Sequence, residues 1–434
     1  MPFSAPRNSA ERARRGLTMM TIMGRSNARA AVATAVLTTL ALGVASGARA
    51  QDEFAHPQSY KFDGGPLGEL EGNAAVDGYF FWQSGSGNGS AVGHYATGSK
   101  IDAWEVELSK KTGPNDILGF TLQAAEYQDI NLGLNKPKNV NDDRFQTGPI
   151  RSAYVTLAPI PDFRVSVGQV PSIEGFESVF PWNNPVALRT AANPPQNSNS
   201  KGIQLDYDHG PFSGTVIFGD GYDTNDYNYV QFSGTYKFDA NNQFTVYGGV
   251  PVGVTGPNAF AYGEGGSPPS GGDGVGGQQQ LAVVNSNMIG AWYTWRDDGL
   301  TIIPELQFQY TPKLTQFANE TSGGNSDDIP AGTSEFVAAL FAMYRFPDTH
   351  FSISGWAEYG TSQGSAAQDV WFSAPNQKLV GVAIAPAWKY DKIFVRLDMG
   401  YVHLLDLGTP AAGYGSMGTS KDTVIGLTEF GFVF

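Results

Sequence analysis

The end of the chain constrains the fold more than any other stretch. Asp422 to Phe434 reads Asp-Thr-Val-Ile-Gly-Leu-Thr-Glu-Phe-Gly-Phe-Val-Phe. At the period of two that a β-strand imposes, Val424, Gly426, Thr428, Phe430, Phe432 and Phe434 share one face, and Ile425, Leu427, Glu429, Gly431 and Val433 the other. Chain ends of water-soluble domains usually fray into solvent, so an aromatic face running to the terminal carboxylate has little use there. It suits a strand that faces lipid, ends in an interfacial girdle of rings and closes a barrel. An ordinary amphipathic edge strand is the other reading of these residues taken alone.

The opposite end reads as an address. Arg25 and Arg29 precede the apolar run from Ala30 to Gly43, and Ala48-Arg49-Ala50 is a small-residue cleavage site. Residues 1–50 are therefore expected to be a cleaved signal peptide, with translation starting as late as Met19, Met20 or Met23. The exported chain is then Gln51 to Phe434, 384 residues. The leader holds seven of the 27 Lys and Arg and one of the 41 Asp and Glu, so a net charge of −14 becomes −20 after its removal. Such acidity argues against nucleic acid as a partner. The absence of cysteine excludes disulfides, thiolate metal sites, a Cys nucleophile and a lipoprotein anchor.

No run after the leader approaches the ~18 apolar residues of a membrane helix. The longest, Phe336 to Tyr344, has nine. Instead, short alternating segments are separated by polar connections that are by turns short and long, the pattern of an outer-membrane barrel with short periplasmic turns and longer outer loops. The expectation is an all-β, transmembrane, antiparallel up-and-down barrel of about 16 strands over residues 73–434, after a periplasmic lead-in at 51–72. Strands are expected near Ala75 to Trp82, Ile101 to Lys110, Ile117 to Glu126, Arg151 to Ala158, Phe163 to Val170, Gly202 to Tyr207, Phe212 to Gly219, Tyr229 to Phe238 and Gln243 to Val250. Three further hairpins turn at Asp297-Asp298-Gly299, Pro347 to His350 and Tyr390-Asp391-Lys392, and Asp422 to Phe434 closes the series. Carboxylates cannot face hydrocarbon cheaply, so Glu105, Glu107, Glu305, Asp398 and Glu429 are expected to look into a wet lumen. A lumen of this girth is wider than its own side chains fill, and function lies in what narrows it.

A family resemblance enters at Val167 to Tyr236. Gly168-Gln169-Val170-Pro171-Ser172-Ile173-Glu174-Gly175-Phe176-Glu177, then Asn183-Asn184, Arg189, Pro194-Pro195 and Lys201-Gly202-Ile203, resemble the OmpL-like family of β-barrel porins. Asp220-Gly221-Tyr222-Asp223 with Asn225 and Asn228 is similar to that family's Asn-Gly-Trp-Asp stretch, with Asp for the first Asn and Tyr for Trp. The resemblance implies an outer-membrane porin-like barrel and carries over neither a solute nor a site.

Residues 171–200 are the third outer loop, which in general porins folds inward as the constriction. Phe176, Phe180 and Trp182 give it hydrophobic weight that a solvent loop does not need. It is expected to pack on the inner wall and present Glu174 and Glu177 to the channel, opposed by Arg189 and by Arg164 and Arg396 on strands. The alternative is that these charges pair structurally and fix the loop. Asp220, Asp223 and Asp226 with Asn225 read as a solvated acidic loop, lacking EF-hand order, and Asn141-Asp142-Asp143 and Asp327-Asp328 read likewise. Pro251 to Gln280, with ten Gly and four Pro, reads as a long outer loop. None of His56, His94, His209, His350 and His403 stands in a catalytic arrangement, and no enzyme activity, cofactor or metal is expected.

The leading functional expectation is a passive diffusion channel for small hydrophilic solutes and ions in the bacterial outer membrane. The alternatives are a substrate-selective channel for sugars or organic acids, or a non-conducting structural or adhesive barrel. Expected partners are outer-membrane lipid and lipopolysaccharide, and the barrel-assembly machinery, which would read Phe430, Phe432 and Phe434. A homotrimer is expected by analogy with general porins.

Overall fold

The computed structural model describes residues 55–434 except 56, 58, 85–94, 114–115, 128, 131–139, 142–148, 257–281, 316–320, 323–324, 327–331, 365–375, 409–412 and 416–417. Most of Pro251 to Gln280, and His56, His94, Asp142, Asp143, Asp327 and Asp328, therefore lie outside the described residues.

Sixteen antiparallel strands form one closed barrel. They are β1 (Glu69–Ser84), β2 (Tyr95–Lys110), β3 (Leu118–Glu126), β4 (Ile150–Ile160), β5 (Phe163–Pro171), β6 (Asn199–His209), β7 (Phe212–Gly219) and β8 (Tyr229–Lys237). The circuit continues with β9 (Asn242–Pro251), β10 (Asn287–Asp297), β11 (Leu300–Thr311), β12 (Thr333–Arg345), β13 (Phe351–Gln363), β14 (Gln377–Tyr390), β15 (Ile393–Leu407) and β16 (Asp422–Val433). Each strand pairs with its chain neighbours, and β16 returns to β1 with Ala75 opposite Val433 and Gln83 opposite Ile425. Closure satisfies the backbone groups that hydrocarbon would leave unpaired.

Side chains alternate as the pleat requires. On β11, Leu306, Phe308 and Tyr310 are exposed on the outer face while Glu305, Gln307 and Gln309 are buried within. On β16, Val424, Phe430, Phe432 and Phe434 are exposed, and Ile425, Leu427, Glu429 and Val433 are buried. Phe434 stacks parallel to Phe432 at 6.4 Å, and the Lys392 ammonium sits 3.9 Å from its ring centre. A cation over a ring face thus ties the terminus to the neighbouring turn.

The connections segregate. Short turns such as Asp298-Gly299, both at positive φ (39° and 84°), lie at one end, as a hairpin whose twist matches its strands requires. The long loops lie at the other end. Several strands run beyond the expected limits: β1 begins at Glu69 rather than Ala75, and β2 at Tyr95 rather than Ile101. The ladder continues past the apolar band, where polar residues keep the hydrogen bonds but lose the alternation that marks a strand in sequence. Ahead of the barrel, Tyr60–Asp63 pairs with Glu69 to Gly72 of β1. Since β2 occupies the opposite edge of β1, this short strand shares its edge with β16.

Deleting Phe430 to Phe434 removes the β1 partners from Gly78 to Ala75 together with the stacked terminal rings. The expected result is loss of the heat-modifiable folded band on unheated SDS gels; a stable, membrane-inserted truncation would contradict this account of the seam.

Candidate channel lining

The loop between β5 and β6, residues 172–198, decides how much of the lumen is open. A backbone segment inside a barrel carries polar groups that must find partners. Here strand side chains supply them. The Phe176 N–H donates to Glu305 (3.0 Å), the Ala187 and Leu188 N–H groups to Asp398 (2.6 and 3.2 Å), and the Ala191 N–H to Glu358 (2.7 Å). In the other direction Gln307 donates to the Ala192 carbonyl (2.9 Å), Gln309 to that of Pro195 (3.0 Å) and the Trp356 indole to that of Leu188 (2.8 Å). The loop is thereby fixed along β11, β13 and β15.

Its deepest part is held by a cation. Arg396, fully buried, meets Glu429 at 2.5 Å and Asp398 at 3.5 Å, and donates to the carbonyls of Asn184 (2.6 Å) and Pro181 (3.0 Å). A planar guanidinium suits this task, because its fixed donors serve two carboxylates and two backbone oxygens at once. Apolar contacts fill the remainder. Phe176 packs 4.9 Å from Phe341 and 6.2 Å from Trp292, and Val186, Leu188 and Ala191 join the cluster formed by Val337, Trp356, Leu379, Val402 and Ile425. On the far side the Arg151 guanidinium lies 5.1 Å from the Phe180 ring and donates to Gln123 (2.9 Å), which in turn donates to Glu105 (2.8 Å).

The acidic residues of the loop turn inward on it. Glu177 accepts from the single Thr190 N–H of the same loop on both carboxylate oxygens (3.2 Å each) and from the Thr190 hydroxyl. Arg189 is buried and donates to the Val179 carbonyl (2.8 Å). Glu174 accepts from the Asn197 N–H (2.9 Å) and the Tyr229 hydroxyl (3.1 Å). Gly249 leaves room for that pair, since a Cβ there would stand 2.1 Å from the Tyr229 oxygen and 2.3 Å from Glu174. Burial pushes the Glu174 carboxyl up from 4.5 to about 7, against the pull of its two donors.

A second loop, residues 220–228, backs the first. The Tyr222 N–H donates to Asn197 (2.8 Å) and its hydroxyl to the Pro195 carbonyl (3.1 Å). Asp220 accepts from the Lys201 and Asn225 N–H groups, and the Lys201 ammonium lies 3.0 Å from Asp223. These carboxylates hold their own loop to β6, and among the described residues no group of three or more His, Cys, Asp or Glu is arranged to hold a metal ion.

The inner face is consequently divided. On β11 to β15 the alternate inward residues from Thr301 to Thr311, Thr333 to Met343, Ser352 to Ser362, Gln377 to Ala387 and Phe394 to Leu404 are all buried. On β2 to β8 the inward Glu107, Thr121, Tyr154, Thr156, Arg164, Gln204, Asp208, Ser233 and Lys237 remain half-buried. Arg164 pairs with Asp208 at 2.9 Å on this second wall, apart from Glu174, Glu177, Arg189 and Arg396.

A family model described as "Putative beta-barrel porin-2, OmpL-like" matches residues 69–434. The chain belongs to that OmpL-like porin family. No curated protein sequence matches it. Among solved structures, this OmpL-like barrel is similar to an anion-selective porin from Comamonas acidovorans (11% identity, 84% of this chain and 99% of that one, TM-score 0.53). It is also similar to Salmonella typhi OmpF solved with daunomycin (12%, 87% and 100%, TM-score 0.52) and to Vibrio cholerae OmpT (10%, 87% and 100%, TM-score 0.50). At such identities the likeness is one of fold.

Of the sequence-derived site residues, the OmpL-like barrel brings Glu174 and Arg396 into contacts between loop and wall and Glu177 and Arg189 into contacts within the loop, and all four are buried. Glu105, Glu305, Asp398 and Glu429 are inward and buried, and Glu107 is inward and half-buried. The residues that sequence reasoning missed are Glu358, Tyr229, Trp356 and Tyr247, whose hydroxyl donates to Glu305 (2.8 Å). Their signal was a polar or amphipathic side chain at an inward position, which a water-filled lumen explains equally well.

Replacing Arg396 with Met leaves Asp398 and Glu429 buried without their cation, an expected loss of about 3–5 kcal/mol, read as a lower urea midpoint of the folded barrel. The pH dependence of the loop has a definite sign. Because the Glu174 carboxyl is raised from 4.5 to about 7 when docked, the docked loop holds the extra proton between those values and is bound more tightly as pH falls through that window. Amide exchange of residues 172–198, corrected for intrinsic rate, is expected to be slower at pH 5 than at pH 8, and Glu174→Gln should reduce the difference.

Proposed function

We propose that this outer-membrane porin forms an aqueous channel through which small hydrophilic solutes and ions diffuse passively, along the wall of β2 to β8. The observation that carries this reading is the division of the inner face. One half is packed against the loop, and the other keeps polar side chains on β2 to β6 and on β8 partly accessible. A porin wall of mixed charge and hydroxyl groups selects weakly among polar solutes and chiefly by size and sign.

The sign follows from the same wall. Counting the buried Glu105 and Asp206 together with the half-buried Glu107 and Asp208, acids outnumber Arg164 and Lys237 there, and Arg151 is turned onto Phe180. This supports a modest preference for cations, set by β2 to β8 rather than by the acids of the loop. The substrate-selective reading needs Phe176, Phe180 or Trp182 free to stack on a sugar or an organic acid, and all three are buried in contacts with the protein.

Planar-bilayer recording tests the proposal. Discrete, ohmic, unsaturating conductance is expected, with a reversal potential of cation sign under a salt gradient. Glu107→Gln with Asp208→Asn should move that potential toward the anion side, whereas Glu174→Gln with Glu177→Gln should leave it in place. No conductance from folded protein would favour the structural or adhesive barrel, and saturating block by one sugar or acid would favour the selective channel.

A further inference from the structure

The segment that precedes the barrel does not stay outside it. Tyr60–Asp63 is exposed at the rim, yet Pro57 and Ala55 just before it are buried, Ala55 completely. The Ala55 N–H donates to the Trp182 carbonyl across 2.8 Å. Its methyl group lies in an apolar cluster with Phe180 and Trp182 of the inward loop and with Ala75, Ala103, Phe394 and Val433 of β1, β2, β15 and β16.

The receiving surface is built for a main chain. Trp182 stands in a short 3-10 turn, Pro181–Asn183, whose flanking carbonyls are the ones that Arg396 grips. Its ring is stacked on Phe180 at 5.0 Å with planes 8° apart. The platform is thus held by the loop's and the wall's own residues. Opposite it, the inward residues Ala75 and Ala103 are small, and small side chains on a packed wall leave the width that a passing peptide needs. The family match starts at residue 69, so the docked segment lies outside the part of the chain that the family model describes, while its platform lies within it.

We infer that the chain ahead of the barrel, through Ala55 and Pro57, is a strap that enters the barrel at its short-turn end, docks on Trp182 and narrows the passage there. In an outer-membrane barrel that end faces the periplasm, so the strap restricts the exit while the loop restricts the middle. The narrowing rests on the channel reading above; the docking does not.

The experiment separates the two. The protein has no cysteine, so Ala55→Cys and, as an exposed control, Lys61→Cys each carry one thiol. In folded full-length protein, a polar, membrane-impermeant maleimide is expected to label position 55 at least ~10-fold more slowly than position 61, as burial of a thiol requires. Equal rates would overturn the docking, whatever the conductance. Removing residues 51–59 behind the intact signal peptide is expected to raise single-channel conductance by roughly 1.5-fold, since a pore conducts through its narrowest sections. Unchanged conductance in folded protein would overturn the narrowing even if position 55 is protected. Should the deletion fail to fold, Ala55→Asp, which places a carboxylate in the apolar cluster, is expected to give the same rise, and unchanged conductance from it counts against the strap equally. A wild-type barrel that conducts nothing would count against the channel reading, with the labelling comparison still deciding the docking.

Discussion

Hydrocarbon offers no partner to a peptide group, and that single fact shapes this molecule twice. It forces the ladder round until β16 meets β1, because any open edge within the bilayer would strand a row of N–H and C=O groups. It also imposes a lumen as wide as sixteen strands make it, whether or not function wants that width. What the chain does inside the barrel is a response to the second consequence.

The response is a loop treated as a folded layer. Residues 172–198 carry backbone into a space with few solvent partners, and the wall answers with carboxylates for its N–H groups and amides or an indole for its carbonyls. Charge is used here for position. Arg396 is surrounded by Glu429, Asp398 and two carbonyls, so its buried charge is compensated on the spot, the condition under which a buried ion is tolerable. A group so engaged has little field left to offer a passing ion. The half-buried residues on β2 to β8 keep theirs.

The architecture was largely legible because it follows from a period. The alternation of Leu306, Phe308 and Tyr310 with Glu305, Gln307 and Gln309 needs no tertiary knowledge, and strand order follows once the hairpins are placed. The strand ends were less legible, since at Glu69 or Tyr95 the pairing continues after the apolar face has ended. Least legible was the use of the inward charges. Glu105, Glu107, Glu305 and Asp398 look alike in sequence, each an acid on the wet face of a strand. In the fold, Glu107 stays partly open while Glu305 and Asp398 are consumed by Phe176, Ala187 and Leu188, more than a hundred residues away in the chain. No local pattern encodes such a distance. Glu358 is the same case seen from the other side, an inward acid whose partner, Ala191, gives no sign in the sequence.

Where those partners lie along the chain bears on how the molecule is made. The inward loop belongs to the first half of the sequence, but the cation that grips its deepest turn is on β15 and the acid that balances that cation is on β16. The loop therefore has a complete seat only once the last hairpin is in place. Closing the wall and furnishing the interior are one event, and a chain stalled before its final strand has an unfinished inside as well as an open seam.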